Sequence, residues 1–187
     1  IPSSQDFLAT ILEAMKSNTV LQMTFQSFSM QEAKTFLVEP YCVKMSAQRW
    51  YMLARNVDYN YLRLYSLDRM EDVKLTDAHF VLPKDFCAKE YFAEYFGIVL
   101  DESAPLQRIV LRADKYHQHY MRTLPLHHSQ KEIYACDDYA DFELTLRPTY
   151  DFYMKLMSFG NMIKVLEPKS LQEKIYKWLE KTIEVYK

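Results

Sequence analysis

Along residues 7–15 the apolar side chains Phe7, Ile11, Leu12 and Met15 return every three or four positions, the spacing of one helix face. Ser4 or Asp6 stands where an N-cap for that helix belongs. From Val20 onward the period shortens. Residues 20–29, 34–46, 48–58, 61–70 and 71–77 are β-rich runs, separated by polar connectors such as Met30-Gln31-Glu32 and 57–60. One helix followed by about five short strands predicts a small, strongly bent β-barrel, because short strands must close or be covered to hide their edges. Residues 83–98 then read as a helix ending near Gly97.

Residues 100–107, with Ser, Ala, Pro, two acids and no apolar period, are the best linker candidate. Beyond them the texture changes. A strand (107–113), a helix (114–124), two strands (131–136 and 139–148) and a helix with Gly160 at its C-terminal cap come first. A last strand (161–168) and a last helix carrying Leu171, Ile175, Leu179, Ile183 and Tyr186 along one stripe complete the chain. The order β-α-β-β-α-β with an added helix is the ferredoxin-like arrangement. The pattern therefore predicts an α+β protein: residues 1–99 as a helix, a small barrel and a following helix, and residues 100–187 as a ferredoxin-like domain. The terminal stripe reads as core before interface, although an end helix is also a place where such domains dimerise.

Composition changes this picture little. Apolar residues make up 49% and charged residues 26%, as in an ordinary globular protein, while 15% aromatic content against two glycines implies well-defined elements and few left-handed turns. A net charge of −2 means that any nucleic-acid contact must come from a local patch. Cys42, Cys87 and Cys136 are odd in number, far apart and without C-x-x-C spacing, which favours neither disulfides nor zinc and fits a reducing cytoplasm. No stretch reaches the roughly 18 apolar residues of a membrane span. The abrupt start at "IPSS", without an initiator methionine, suggests that something upstream has been removed.

Enzyme chemistry finds no foothold. There is no Gly-rich phosphate loop, no H-E-x-x-H and no G-x-S-x-G, and no cofactor is expected. His117, His119, His127 and His128 lack a carboxylate or thiol at metal-ligand spacing and read as surface histidines. Asp137, Asp138 and Asp141, around a strand-to-strand turn, read as turn formers and solvated charge.

The run "RWYMLAR" (49–55) is different. With a period of two, Trp50, Met52 and Ala54 point one way and Arg49, Tyr51, Leu53 and Arg55 the other. In "YLRLYSLDR" (61–69), Tyr61, Arg63, Tyr65, Leu67 and Arg69 share a side, opposite Leu62 and Leu64. Paired as a hairpin, the strands can set Arg49, Tyr51, Arg55, Arg63, Tyr65 and Arg69 on one surface. Between residues 41 and 70 five basic residues face two acids, a basic island of +3. Guanidinium forks for phosphate and aromatic faces for stacking are what single-stranded nucleic acid or a nucleotide requires. The plainer reading is that Arg and Tyr are ordinary solvent-facing strand residues, with Asp68 neutralising a neighbouring Arg. Both readings fit the spacing.

The runs "EPYCVKMSAQRWYMLAR" and "LRLYSLDRM" resemble a WYL domain, an Sm-like (SH3-like) barrel named for its Trp-Tyr-Leu triplet; here the triplet is Trp50-Tyr51-Met52. The second half, through "PLHHSQ" and "LTLRPTYDFYMKLMSFGNMIKVLEP", resembles the WCX extension that often follows it. This resemblance implies the effector-sensing region of a cytoplasmic bacterial transcription regulator, whose helix-turn-helix DNA-binding domain has no match in these residues. It also implies single-stranded nucleic acid or a nucleotide-like ligand at Arg49, Tyr51, Arg63, Tyr65 and Arg69, with Phe25 on the first strand as a further contact, and a possible homodimer. The alternative is an interaction module that docks an acidic protein segment on the same face.

Overall fold

The computed structural model describes residues 7–187, so the Ser4 or Asp6 cap lies outside the described residues. The chain divides into two compact units, Ile1–Ala88 and Lys89–Lys187. The fold is α+β, with one antiparallel sheet in each unit.

In the first unit a helix, α1 (Leu8–Ser17), precedes β1 (Thr19–Phe25), β2 (Lys34–Ser46), β3 (Arg49–Asn56), β4 (Tyr61–Ser66) and β5 (Met70–His79), with one 3-10 turn, Leu67–Arg69, between the last two strands. Strand order is β4-β3-β2-β1-β5, every neighbouring pair antiparallel. One face carries Leu21, Met23, Phe25, Val38, Met52, Ala54 and Tyr65 and packs with Ile11 and Ala14 of α1. The opposite face is also covered: Val20, Tyr41 and Phe80 form a second cluster joined by Leu62, Leu82 and Phe86. Both faces of this sheet therefore lose water, at roughly 1.5–3 kcal/mol for each large apolar side chain buried.

The chain turns with almost no glycine. Ala47 (φ 46°) and Gln48 (φ 63°) form the two-residue connection between the paired residues Ser46 and Arg49, and Asn18 (φ 50°) caps α1. Asn60 (φ 51°) sits in the β3–β4 turn. Among the described residues, left-handed backbone is thus used at four non-glycine positions, where the scarcity of glycine had suggested little of it.

The second unit contains β6 (Gln107–Asp114), α3 (His117–Thr123), β7 (Lys131–Ala135), β8 (Tyr139–Leu146), α4 (Tyr150–Ser158), β9 (Ile163–Glu167) and α5 (Lys169–Val185). Its sheet runs β7-β8-β6-β9, again antiparallel. Ile109, Leu111, Phe142 and Leu144 meet Phe152 and Leu156 of α4 and Leu171 of α5 in the core. Gly160, at φ 57°, follows the end of α4 as its position in the sequence predicts. The α5 stripe splits: Leu171 is buried and Ile175 packs on the core, whereas Leu179, Ile183 and Tyr186 are exposed.

Three local expectations are corrected. The helix expected over residues 83–98 is only α2 (Ala88–Ala93), because tertiary bonds draw the chain out after it: Tyr95 bridges Arg147, and the Arg147 N–H donates to the Glu94 carbonyl at 2.7 Å. Asp141 is a buried member of β8 whose carboxylate takes Arg112 Nε and Nη2 at 2.7 and 2.8 Å, so it is no solvated turn residue. His127 is buried, its ring 4.2 Å from that of His128 and its Nδ1 2.7 Å from Ser129 Oγ. Burial first, then the adjacent His128, pushes the His127 pKa below the usual 6.5. The unfolded chain then binds more protons below that pH, so stability falls as pH drops through 6.5 toward the folded value. Urea midpoints taken on both sides of this range should show a larger acid-side loss in the native chain than in His127→Gln.

Candidate nucleic-acid interface

Register decides which side chains share a face, and it divides the surface expected from the sequence. Cross-strand partners lie on one side of a sheet, and β3 pairs with β4 as Met52↔Tyr65, Ala54↔Arg63 and Asn56↔Tyr61. Arg63 and Tyr65 therefore belong to the face of Met52 and Ala54, while Arg49, Tyr51 and Arg55 belong to the other. Arg69 does not continue the alternation of β4, because the strand ends at Ser66 and a 3-10 turn intervenes.

Each half has its own chemistry. On the first side, Arg55 Nε and Nη2 bind both carboxylate oxygens of Glu39 at 2.7 Å, and Nη1 donates to Asn60 at 2.9 Å. That hydrogen-bonded carboxylate holds the Arg55 pKa above its ordinary value. Arg49 lies 3.3 Å from Asp68, and Tyr51 is buried. The other side gathers Phe25, Arg63, Tyr65 and Arg69. Phe25 and Tyr65 are buried and meet edge to face at 5.2 Å. The Arg63 guanidinium lies 5.6 Å from the Tyr65 ring centre, and that of Arg69 lies 5.6 Å from Phe25 and 4.8 Å from Phe28. Two guanidinium groups thus flank one aromatic pair. Ser66 Oγ accepts a hydrogen bond from Arg69 Nε, which fixes the direction of that side chain.

Carboxylates treat the arginines unequally. Of the eight in the chain, Arg49, Arg55, Arg108, Arg112, Arg122 and Arg147 each form an ion pair with Asp or Glu. Arg63 and Arg69 do not, among the described residues, and they are the two that sit over the Phe25–Tyr65 pair. An aromatic face attracts a guanidinium without cancelling its charge, so both keep a full positive charge for an incoming anion.

A cleft of about 420 Å³ opens beside Arg69, lined by Gln26, Ser27, Phe28, Met30, Asp68 and Glu71; Asp68 Oδ2 lies 3.3 Å from Arg49, while its Oδ1 is buried without a hydrogen-bond partner among the described residues. Phe28 is 86% exposed, and Tyr59 and Tyr61, 64% and 43% exposed, stand with ring centres 6.0 Å apart, Tyr61 on the face of Arg63. Flat rings beside unpaired guanidinium groups can stack bases and hold phosphates. Phe28 and Tyr59 were not among the residues expected from sequence; a lone aromatic in the polar run "QSFSMQ" was the available signal for Phe28.

Burial raises the Tyr65 pKa and keeps its hydroxyl neutral, with Asn56 Nδ2 donating to it at 3.5 Å. Among the described residues no group of three or more His, Cys, Asp or Glu side chains could hold a metal ion, and no helix is long and apolar enough to cross a membrane.

Comparison with known proteins gives matches for each unit. The model of the WYL domain matches residues 6–75, and that of the WCX domain matches residues 105–183. Among solved structures, one described as a CRISPR Cas-related protein is 11% identical over 98% of this chain and 52% of its own, with a TM-score of 0.60. Proteasome accessory factor B/C of Arthrobacter aurescens is 22% identical over 88% of this chain and 25% of its own, with a TM-score of 0.42. The chain thus spans about half or less of the length of these structures. Among curated protein sequences, none matches it.

Proposed function

The chain belongs to the WYL-domain family and carries a WCX domain after the WYL unit, and from this we propose that it is the effector-sensing region of a cytoplasmic bacterial transcription regulator. The effector is single-stranded nucleic acid or a nucleotide-like molecule. The observation that carries this reading is the pair Arg63 and Arg69, the two arginines that no carboxylate holds among the described residues, flanking Phe25 and Tyr65. Arg63 and Arg69 take phosphate oxygens, Phe28 and Tyr61 offer faces for bases, and Arg49 is a peripheral contact. Phe25 and Tyr65 hold the guanidinium groups in place from below, and Tyr51 and Arg55 support the sheet behind them.

In this reading the order β4-β3-β2-β1-β5, with its edge strands joined by a single turn, corresponds to an Sm-like barrel. The order β7-β8-β6-β9, with helices after its first and third strands in sequence, corresponds to a ferredoxin-like domain. Effector binding acts as a population shift between domain arrangements, limited by the effector's differential affinity for them.

Fluorescence anisotropy of a labelled single-stranded oligonucleotide tests the assignment. Arg63→Ala and Arg69→Ala should each weaken binding and flatten the slope of log K against log salt by about 0.7, one phosphate contact apiece. Arg108→Ala, which removes an arginine bound to Glu143 and Glu167, should do neither. Unchanged affinity and slope in both corner variants would sink the reading, and capture of an acidic peptide with no oligonucleotide binding would favour a protein-docking face.

A further inference from the structure

The second unit holds a cavity of about 490 Å³, lined by Val99, Asp101 and Ala104 from the segment before β6, by the first turn of α4 and by the first three turns of α5. Its size suits one small molecule. Three aromatic side chains shape it: Tyr150 and Tyr153 both pack on Trp178, with ring centres 5.7 and 5.6 Å apart. Lys174 places its ammonium 4.0 Å from the centre of the Tyr153 ring and forms no ion pair with a carboxylate among the described residues. Asp101, the acid in the lining, accepts hydrogen bonds from the hydroxyl and N–H of Ser103, at 2.5 and 3.0 Å, and these first, with the Lys174 charge as a lesser cause, hold its carboxyl below the ordinary value, so an ionised carboxylate shares the cavity with Lys174. Ser170, at the start of α5, and Thr149 and Tyr150, at the start of α4, bring two helix N-termini to the same space, where backbone N–H groups lack intrahelical acceptors and the helix dipoles favour negative charge.

Thr149 supplies an independent sign. It occupies the N-cap position of α4, where a threonine hydroxyl ordinarily accepts a hydrogen bond from the first turn, yet it makes no such bond. The residue is 3% exposed and its Oγ1 has no hydrogen-bond partner among the described residues. A buried hydroxyl left unpaired is destabilising, and such a group in a cavity wall calls for a partner from outside the chain.

We propose that this cavity is a second ligand site, separate from the Arg63–Arg69 corner, for a small organic anion with a flat apolar body, such as an aromatic carboxylate. The anionic end meets Lys174 and the helix starts, Thr149 donates its hydroxyl, and the flat body lies against Tyr150 and Trp178.

The chain has two tryptophans, so the indole N–H signal of Trp178 can be followed by NMR and assigned with Trp50→Phe. The probes are 4-methylbenzoate and its neutral counterpart 4-methylbenzamide. The acid should shift the Trp178 signal saturably by about 10 mM, the range set by so small a molecule, and leave Trp50 in place. The amide should bind roughly tenfold more weakly, because it lacks the charge that Lys174 pairs with. Lys174→Met should remove that preference, and Thr149→Val should weaken the acid by about fivefold. No saturable shift with the acid, an equal response to the amide, or a preference that survives Lys174→Met would overturn the site.

Discussion

Tyr65→Ala should unfold the first compact unit at a much lower urea concentration, a loss of about 3–5 kcal/mol for deleting a fully buried aromatic side chain. The ring is 1% exposed, meets Phe25 at 5.2 Å and Phe36 at 6.5 Å, and carries Arg63 above it. Tyr65→Phe keeps all of this and loses only the hydroxyl that Asn56 reaches, so it should cost about 1 kcal/mol. Each unit contains one tryptophan, Trp50 or Trp178, which allows their transitions to be followed separately. The Trp50 transition should move and that of Trp178 should stay. A Tyr65→Ala chain with native stability and impaired ligand binding would instead make Tyr65 a surface contact.

Gly97→Ala should destabilise the second unit by about 2–4 kcal/mol. A Cβ at this position would lie 2.0 Å from Asp151 Oδ2 and 2.9 Å from Asp151 Cβ. The same carboxylate oxygen accepts the N–H groups of Ile98 and Val99 at 2.6 and 3.0 Å, so moving it aside breaks two charge-assisted bonds that tie this segment to α4. A cycle with Asp151→Gly, which removes both the carboxylate and the Cβ at 2.9 Å, isolates the cause: Gly97→Ala should cost little in that chain. Equal cost with and without Asp151 would place the strain in the backbone, and the Trp178 unfolding transition reads either result.

Most elements were legible in the sequence because each depends on a local period; the helix expected over residues 83–98 was not, since tertiary bonds at Glu94 and Tyr95 draw the chain out of it. Burial along β1 follows the alternation of Leu21, Met23 and Phe25, and the last helix shows its spacing directly. The candidate surface was less legible. Alternation within β4 correctly puts Arg63 with Tyr65, but which face of β3 they join depends on how residues 57–60 turn, and the pairing Met52↔Tyr65 sets it opposite to the expectation. Partners distant in sequence were hidden as well: nothing local to Arg55 announces Glu39, nor does anything near Arg112 announce Asp141. Asp68 was legible only as an acid able to neutralise an arginine near it; that its partner is Arg49, 19 residues earlier in the chain, was not.

The partition of the arginines also bears on how quickly a polyanion can find its place. Six guanidinium groups are cancelled at contact distance, so beyond a Debye length of about 8–10 Å they present dipoles whose field fades rapidly. The chain as a whole is weakly negative, at −2. In the proposed reading, an anion approaching this corner through salt solution therefore meets no long-range funnel from the six paired arginines, and among the arginines attraction begins only within reach of Arg63 and Arg69. Encounter at that corner is governed by orientation rather than steering, the regime in which association proceeds at about 10⁵–10⁶ M⁻¹ s⁻¹ and selectivity rests on how long a correctly seated molecule remains.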